Sequence, residues 1–276
     1  GHGDLYPALV ASGMLDLLLE RGYRYAFVSN SDNLGAVLEP RILAWMHDEG
    51  APFVMEVADR KPSDRKGGHL ARRRADGGLV LREIAQTPDE DVDAFQDVER
   101  HRYFNTNNLW LDLRALRDVL SDQGVLDLPM IVNRKTVDPR DPDSTPVIQL
   151  ETAMGSAIGV FEGAAAIRVP RDRFVPVKTT NALLAVRSDA YVVDDGDAVR
   201  LDPSRDGMPP IIDLDEKYYK LLGDFEPRFP AGAPSLVRCD SLRVAGDVRF
   251  GRDVTIRGNV RLEGPAEIPD GAVLEG

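Results

Sequence analysis

At 276 residues, 43% apolar and 29% charged, the chain can build one large domain or a domain with an appendage, and no apolar run approaches the length of a membrane span. Its 46 Asp and Glu against 34 Lys and Arg leave a net charge of -12, which repels polyanions such as nucleic acid, so a phosphorylated ligand needs local cations. Cys239 is the only cysteine; this excludes an internal disulfide and a multi-cysteine zinc site and points to a reducing, cytoplasmic setting.

The chain opens Gly1-His2-Gly3-Asp4 with neither an initiator Met nor a charged-then-apolar leader, and reads as a fragment. Leu5, Leu9, Leu15, Leu18 and Leu19 recur at mostly helical spacing and predict a helix over 5–21, stopped at Gly22. Residues 23–28 predict a buried strand that runs into the polar cluster Ser29-Asn30-Ser31-Asp32-Asn33. A helix over 37–47 and a strand over 53–57 continue the alternation of a mainly parallel α/β sheet. Beyond the segment 61–68, strands at 69–73 and 79–84 form a hairpin around Asp76-Gly77-Gly78, and a short helix follows at 89–99. Tyr103-Phe104 reads as strand and leads into Asn105-Thr106-Asn107-Asn108, then Leu109-Trp110-Leu111 and a helix over 113–120. The Asp- and Pro-rich stretch 135–146 predicts an exposed loop, 151–161 a helix, 165–169 a strand, 171–178 a structured loop and 181–188 a helix.

The tail changes character. From Leu242 two apolar series recur every six residues: Leu242, Val248, Val254, Val260, Ala266, Ala272, and Val244, Phe250, Ile256, Leu262, Ile268, Leu274. Gly246, Gly258, Gly264 and Gly276 fall on a third. A six-residue period with turn glycines is the signature of a parallel β-helix coil of about two turns. The domains read as 1–230, catalytic α/β, and 234–276, hexapeptide-like β-helix.

Taken alone, the motifs stay ambiguous. The 29–33 cluster fits either a polar turn or a ligand site at the carboxyl ends of α/β strands, where Asp32 would offer a hard oxygen to Mg²⁺. Gly1 to Asp4 could receive a phosphate on free N–H groups with His2 as donor, or be a cap turn. Three amides at Asn105, Asn107 and Asn108 suit a polyol such as a hexose, or a side-chain-capped turn. Lys66-Gly67-Gly68 resembles a phosphate or sugar loop, and Lys178 either reaches an anion or is solvated surface. No His-Glu or Cys-His grouping has metal-ligand spacing, and no Gly-x-Ser-x-Gly elbow occurs.

In combination and order these segments are similar to the eukaryotic-type UDP-glucose pyrophosphorylase family. The carrying segments are Gly1 to Asp4, Val28-Ser29-Asn30-Ser31-Asp32-Asn33-Leu34-Gly35, Lys66-Gly67-Gly68, Glu83-Ile84-Ala85-Gln86, Phe104 to Trp110, Gln149-Leu150-Glu151-Thr152-Ala153 and Val169 to Lys178. The resemblance implies a Rossmann-like, GT-A-type mixed sheet with helices on both faces, followed by a short left-handed parallel β-helix. It implies Mg²⁺-assisted transfer of uridylyl from UTP to glucose 1-phosphate, by in-line attack of the sugar phosphate oxygen on the α-phosphorus.

Carried onto matching positions, Asp32 would bind Mg²⁺, Asn30 would lie beside ribose and sugar, Gly1 would face the uracil and His2 a phosphate. Gly68, Glu83, Asn105 and Asn107 would hold hexose hydroxyls, and Lys178 would stabilise phosphoryl charge. The family's glycine-rich nucleotide loop, which lies upstream of the Gly-His-Gly-Asp motif, does not occur in these residues, so the segment alone is expected to be inactive and to expose apolar surface. Three other readings compete: a UDP-N-acetylhexosamine or broad UDP-sugar pyrophosphorylase, a hexapeptide acyltransferase, and a non-catalytic assembly module whose tail makes a homo-oligomer. The acyltransferase is disfavoured because it needs more coils and usually a His in or near them, whereas the last His is His101.

Overall fold

The computed structural model describes residues 1–138, 140–194, 196 and 198–276. Pro139, inside the expected loop 135–146, lies outside the described residues. The chain forms two compact units, one of residues 1–30 and 38–171, the other of 31–37 and 172–276. Among the described residues no helix is long and apolar enough to cross a membrane.

The first unit opens with two helices, α1 (Leu5–Ala11) and α2 (Met14–Glu20), because Ser12 and Gly13 interrupt the single helix expected there. Then come β1 (Tyr25–Val28), α3 (Pro40–Glu49), β2 (Phe53–Asp59), β3 (His69–Arg72), β4 (Leu79–Arg82), α4 (Val92–Gln96), β5 (Tyr103–Asp112) and α5 (Leu113–Gln123). Asp112 caps α5 by accepting from the Arg114 and Ala115 N–H groups. β6 (Met130–Thr136) and β7 (Pro146–Thr152) form a separate antiparallel hairpin, so strand occupies both ends of the expected loop. β7 and a 3₁₀ turn, Met154–Gly159, replace the helix expected over 151–161. β8 (Ala165–Arg168) closes the unit.

The six-stranded sheet runs β4-β3-β5-β2-β8, with β1 also on β5. It is a mixed sheet rather than a mainly parallel one: only β2 and β8 pair in parallel, because hairpin and return connections put the other strands antiparallel to β5. Alternation along β2 and β5 sends Phe53, Met55, Leu109 and Leu111 to one face, under Tyr6, Leu15 and Leu116. Val54 and Trp110 go to the other, under Ile42 and Met46 of α3. Helices therefore cover both faces.

β5 carries the feature that shapes the site. One edge pairs with β2 along its length, while the other is shared by β3 at Phe104 and β1 at Leu109 to Asp112. Between them, residues 105–108 have no strand partner on that edge among the described residues.

The second unit contains α6 (Thr180–Arg187), β9 (Tyr191–Val193), β10 (Val199–Leu201), β11 (Ile211–Leu214), α7 (Glu216–Tyr219), α8 (Leu222–Phe225), β12 (Ser235–Ala245), β13 (Val248–Phe250), β14 (Thr255–Glu263), β15 (Ala266–Ile268) and β16 (Val273–Glu275). β11, β12, β14 and β16 stack in parallel, as do β13 and β15. Register sets each residue over the one 18 positions on, as Ser241 over Asn259, so three six-residue steps make one coil. Leu242, Val248, Val254, Val244, Phe250 and Ile256 of the apolar series are buried. The coil strands begin near the boundary read from the sequence, but the packed unit starts at Asp172, because Leu184, Tyr219, Phe225 and Phe229 share the coil's core. Asp189 also accepts from Leu236 and Val237 N–H, and the Tyr219 hydroxyl donates to Val248 O.

Candidate active site

In the first unit the site grows from the unpaired stretch of β5. Between the pairs Val57↔Asn105 and Met55↔Leu109, two steps along β2 face four along β5. The surplus is absorbed where Asn107 adopts φ 60. A left-handed non-glycine residue inside a strand costs on the order of 1 kcal/mol and is tolerated best by Asn, so neighbours must enforce it. They do: Asn105 Nδ2 donates to Asn107 Oδ1 at 2.7 Å, and Asn107 N–H donates to Asn105 Oδ1 at 2.8 Å. Asn107 Nδ2 has no partner among the described residues, which leaves it open to a ligand acceptor.

Beneath this bulge lies Glu56, fully buried on β2. Its Oε2 accepts from Asn108 Nδ2 at 3.1 Å, its Oε1 from the Trp110 indole N–H at 2.9 Å, and its backbone carbonyl from the Thr106 hydroxyl at 2.8 Å. Three residues of the bulged strand are thus fastened to one residue. Glu56 was not singled out in the sequence, where it is one polar position in an apolar run.

Glu83 ends β4 and faces Gly68, where a Cβ would stand 2.5 Å from Glu83 Oε1; only glycine fits. The Gly68 carbonyl accepts from Asn105 N–H at 3.1 Å, which fixes this pair beside the amides. Burial pushes the Glu83 carboxyl up to about 7, and no hydrogen bond to its carboxylate is present among the described residues. Gly155 closes the other side of Asn105: a Cβ there would meet Asn105 Nδ2 at 2.6 Å.

The same segment holds the N-terminal motif. Met154 N–H donates to His2 Nδ1 at 2.9 Å, which puts the ring proton of the neutral imidazole on Nε2, and the Tyr6 hydroxyl donates to Met154 O at 2.7 Å. Gly1 lies against Glu151 and Thr152. So 151–155 joins the His2 motif to Asn105. Asn30 follows β1, whose pairing of Val28 with Leu109 leads it out toward the bulge of β5. None of these residues lines the arginine-rimmed surface cavity of about 580 Å³ over Val57, Leu70, Leu79 and Tyr103.

In the second unit, Lys178 Nζ stands 3.9 Å from Asp32 Oδ2. Asp32 Oδ1 is buried without a hydrogen-bond partner among the described residues. Buried Asn33 builds the frame: its Oδ1 accepts from Gly35 and Val175 N–H, its Nδ2 donates to Arg173 O, and Val177 N–H donates to Asp32 O at 2.8 Å. Two segments far apart in sequence are stitched so that the carboxylate and the lysine meet. Among the described residues no group of three or more His, Cys, Asp or Glu forms a metal centre. A lone carboxylate with an unsatisfied oxygen suits Mg²⁺, which takes one or two protein carboxylates and completes its shell with water and phosphate.

The structure therefore gathers Gly68, Glu83, Asn105 and Asn107 in one place, ties Gly1 and His2 to their flank, and pairs Asp32 with Lys178. Glu56, Asn33 and Gly155 escaped sequence reading because they act through other residues, and no spacing marks such a role.

A family model described as UTP-glucose-1-phosphate uridylyltransferase matches residues 1–257. A barley (Hordeum vulgare) protein named UTP-glucose-1-phosphate uridylyltransferase is 45% identical over 100% of the chain and 57% of its own length. A solved Trypanosoma brucei structure named UDP-glucose phosphorylase is 51% identical with a TM-score of 0.88, covering 100% of this chain and 60% of that one. A point mutant of a Leishmania major UDP-glucose pyrophosphorylase, solved in complex with UDP-glucose, is 49% identical with a TM-score of 0.87, covering 100% and 61%. The chain spans about half the length of the curated relatives it matches.

Proposed function

We propose that this protein, which belongs to the UTP-glucose-1-phosphate uridylyltransferase family, makes UDP-glucose and pyrophosphate from UTP and glucose 1-phosphate. One observation carries the reading: the match over 1–257 takes in every candidate site residue, from Gly1 to Lys178. The finer fold follows the same reading, a GT-A-type sheet and a left-handed parallel β-helix whose coil serves homo-oligomer assembly, in a cytoplasmic enzyme.

The phosphate oxygen of glucose 1-phosphate attacks the α-phosphorus of UTP while the bond to the departing pyrophosphate breaks on the opposite side. No covalent enzyme intermediate is needed, so positioning and charge neutralisation are the main tasks. Glu83 accepts from hexose hydroxyls, the Asn107 amide and Gly68 backbone complete the sugar contacts, and Asn105 sets the Asn107 geometry. His2 donates from Nε2–H to a phosphate oxygen, Gly1 faces the uracil and Asn30 lies beside ribose and sugar. Lys178 neutralises charge that builds on the transferring phosphoryl. Asp32 would hold Mg²⁺, which when bound supplies further neutralisation of phosphate charge.

Pyrophosphate release by the active protein, measured with UTP and glucose, galactose or N-acetylglucosamine 1-phosphate, tests the reading. Preference for glucose 1-phosphate is expected; turnover of N-acetylglucosamine 1-phosphate at a higher kcat/KM would replace it with the acetylhexosamine enzyme, and no turnover of any would leave the assembly module.

A further inference from the structure

Arg60, directly after β2, is buried, yet among the described residues no carboxylate pairs with it. Its guanidinium is spent on backbone carbonyls instead. Nη2 donates to Asp64 O at 3.3 Å and Arg65 O at 2.9 Å; Nη1 donates to Phe95 O at 3.1 Å and His101 O at 3.2 Å. Its own N–H donates to Arg102 O at 2.8 Å. Two chain segments, 61–68 and 95–102, therefore converge on one fork of donors. An apolar side chain could fill this space, but only a planar, permanently charged fork reaches carbonyls on both sides.

The segment 61–68 ends at Gly68. Asp64 is its hub: the carbonyl accepts from Arg60 and, at 3.0 Å, from Gly67 N–H, while the carboxylate accepts from Lys61 N–H at 2.7 Å and from Arg171 at 2.7 and 3.2 Å. One step on, Gly68 meets Glu83 and receives the Asn105 N–H. His69 stacks on His101 at 4.0 Å, so the residue after Gly68 is also anchored to the segment that Arg60 grips. The inner side of this loop is thus held through several bonds from one side chain.

We propose that Arg60 is a positioning residue for the sugar: its clamp on 61–68 sets where Gly68 stands against Glu83 and Asn105, and so sets affinity for the hexose phosphate. The proposal rests on the hexose reading of those three residues. In the active protein, Arg60→Met and Arg60→Lys are expected to raise KM for glucose 1-phosphate roughly 10- to 100-fold while KM for UTP stays within about twofold, since misplacement of a sugar contact by about 1 Å costs rate of that order. Asp64→Ala, which loosens the segment from its other side, should move the sugar KM the same way by less. Equal changes in both KM values, or a lowered Tm with the sugar KM unchanged, would overturn the proposal. If Arg60→Met does not fold, Arg60→Lys and Asp64→Ala decide it by the same ratio. Wild-type protein that fails to use glucose 1-phosphate would instead sink the functional reading, and that is seen before any variant is made.

Discussion

Replacing Glu83 by Gln should make the protein more stable and less useful at neutral pH. The folded state holds this carboxyl at about 7 against an ordinary 4.5, because burial penalises the charge. That difference corresponds to roughly 3 kcal/mol at about 1.36 kcal/mol per pH unit, and partial access of solvent reduces it to about 2 kcal/mol. The sign follows from which state binds the proton. Below pH 4.5 both states are neutral and nothing is lost; between 4.5 and 7 the unfolded chain ionises first, so the penalty grows; above 7 it is complete. Urea unfolding at pH 8 should therefore show Glu83→Gln more stable than wild type by about 2 kcal/mol, with the gap nearly closed at pH 5. The same variant loses the charged acceptor for a sugar hydroxyl, so kcat/KM for glucose 1-phosphate should fall about 10- to 100-fold. The ratio of wild-type to variant kcat/KM should rise through pH 7 and then level, because binding hydroxyl donors favours the ionised carboxylate. A variant equally destabilised at both pH values, or one with unchanged sugar kinetics, would refute the argument.

Lys178→Ala should lower kcat about 10²- to 10³-fold with little change in Tm, as expected for an exposed cation that acts on charge developing in the transition state; stopped-flow or coupled turnover checks it. Asn107→Gly should keep stability within about 0.5 kcal/mol, since glycine accepts the left-handed backbone, whereas Asn107→Ala should lose about 1 kcal/mol more; both should weaken sugar binding. Glu56→Gln turns an acceptor toward either the Asn108 amide or the Trp110 indole into a donor, and should cost about 2–4 kcal/mol in thermal unfolding.

How much of this was legible in the chain varies with the kind of residue. The helix of α5, the hairpin of β3 and β4, and the two six-residue apolar series all express a local period, and each appears in the structure near its expected place. The segment 151–161 did not, because Ala, Met, Gly and Ile there satisfy helix and strand patterns alike; pairing with β6 and burial under Leu81 and Met55 decided it. Residues that would touch a ligand, such as Glu83, Asn107 and Lys178, could be listed from motif order. Those that hold them, such as Glu56, Asn33 and Arg60, could not.

The sequence by itself determined the family and the residue types available to the site, because catalysis of this kind needs particular donors, acceptors and charges in a fixed order along the chain. Only the tertiary structure decided the mixed direction of the sheet, the unpaired edge of β5 that bends Asn107 out, and the burial that raises Glu83. Those depend on which strands meet and what they exclude from water, and such contacts join residues whose separation along the chain carries no period to read.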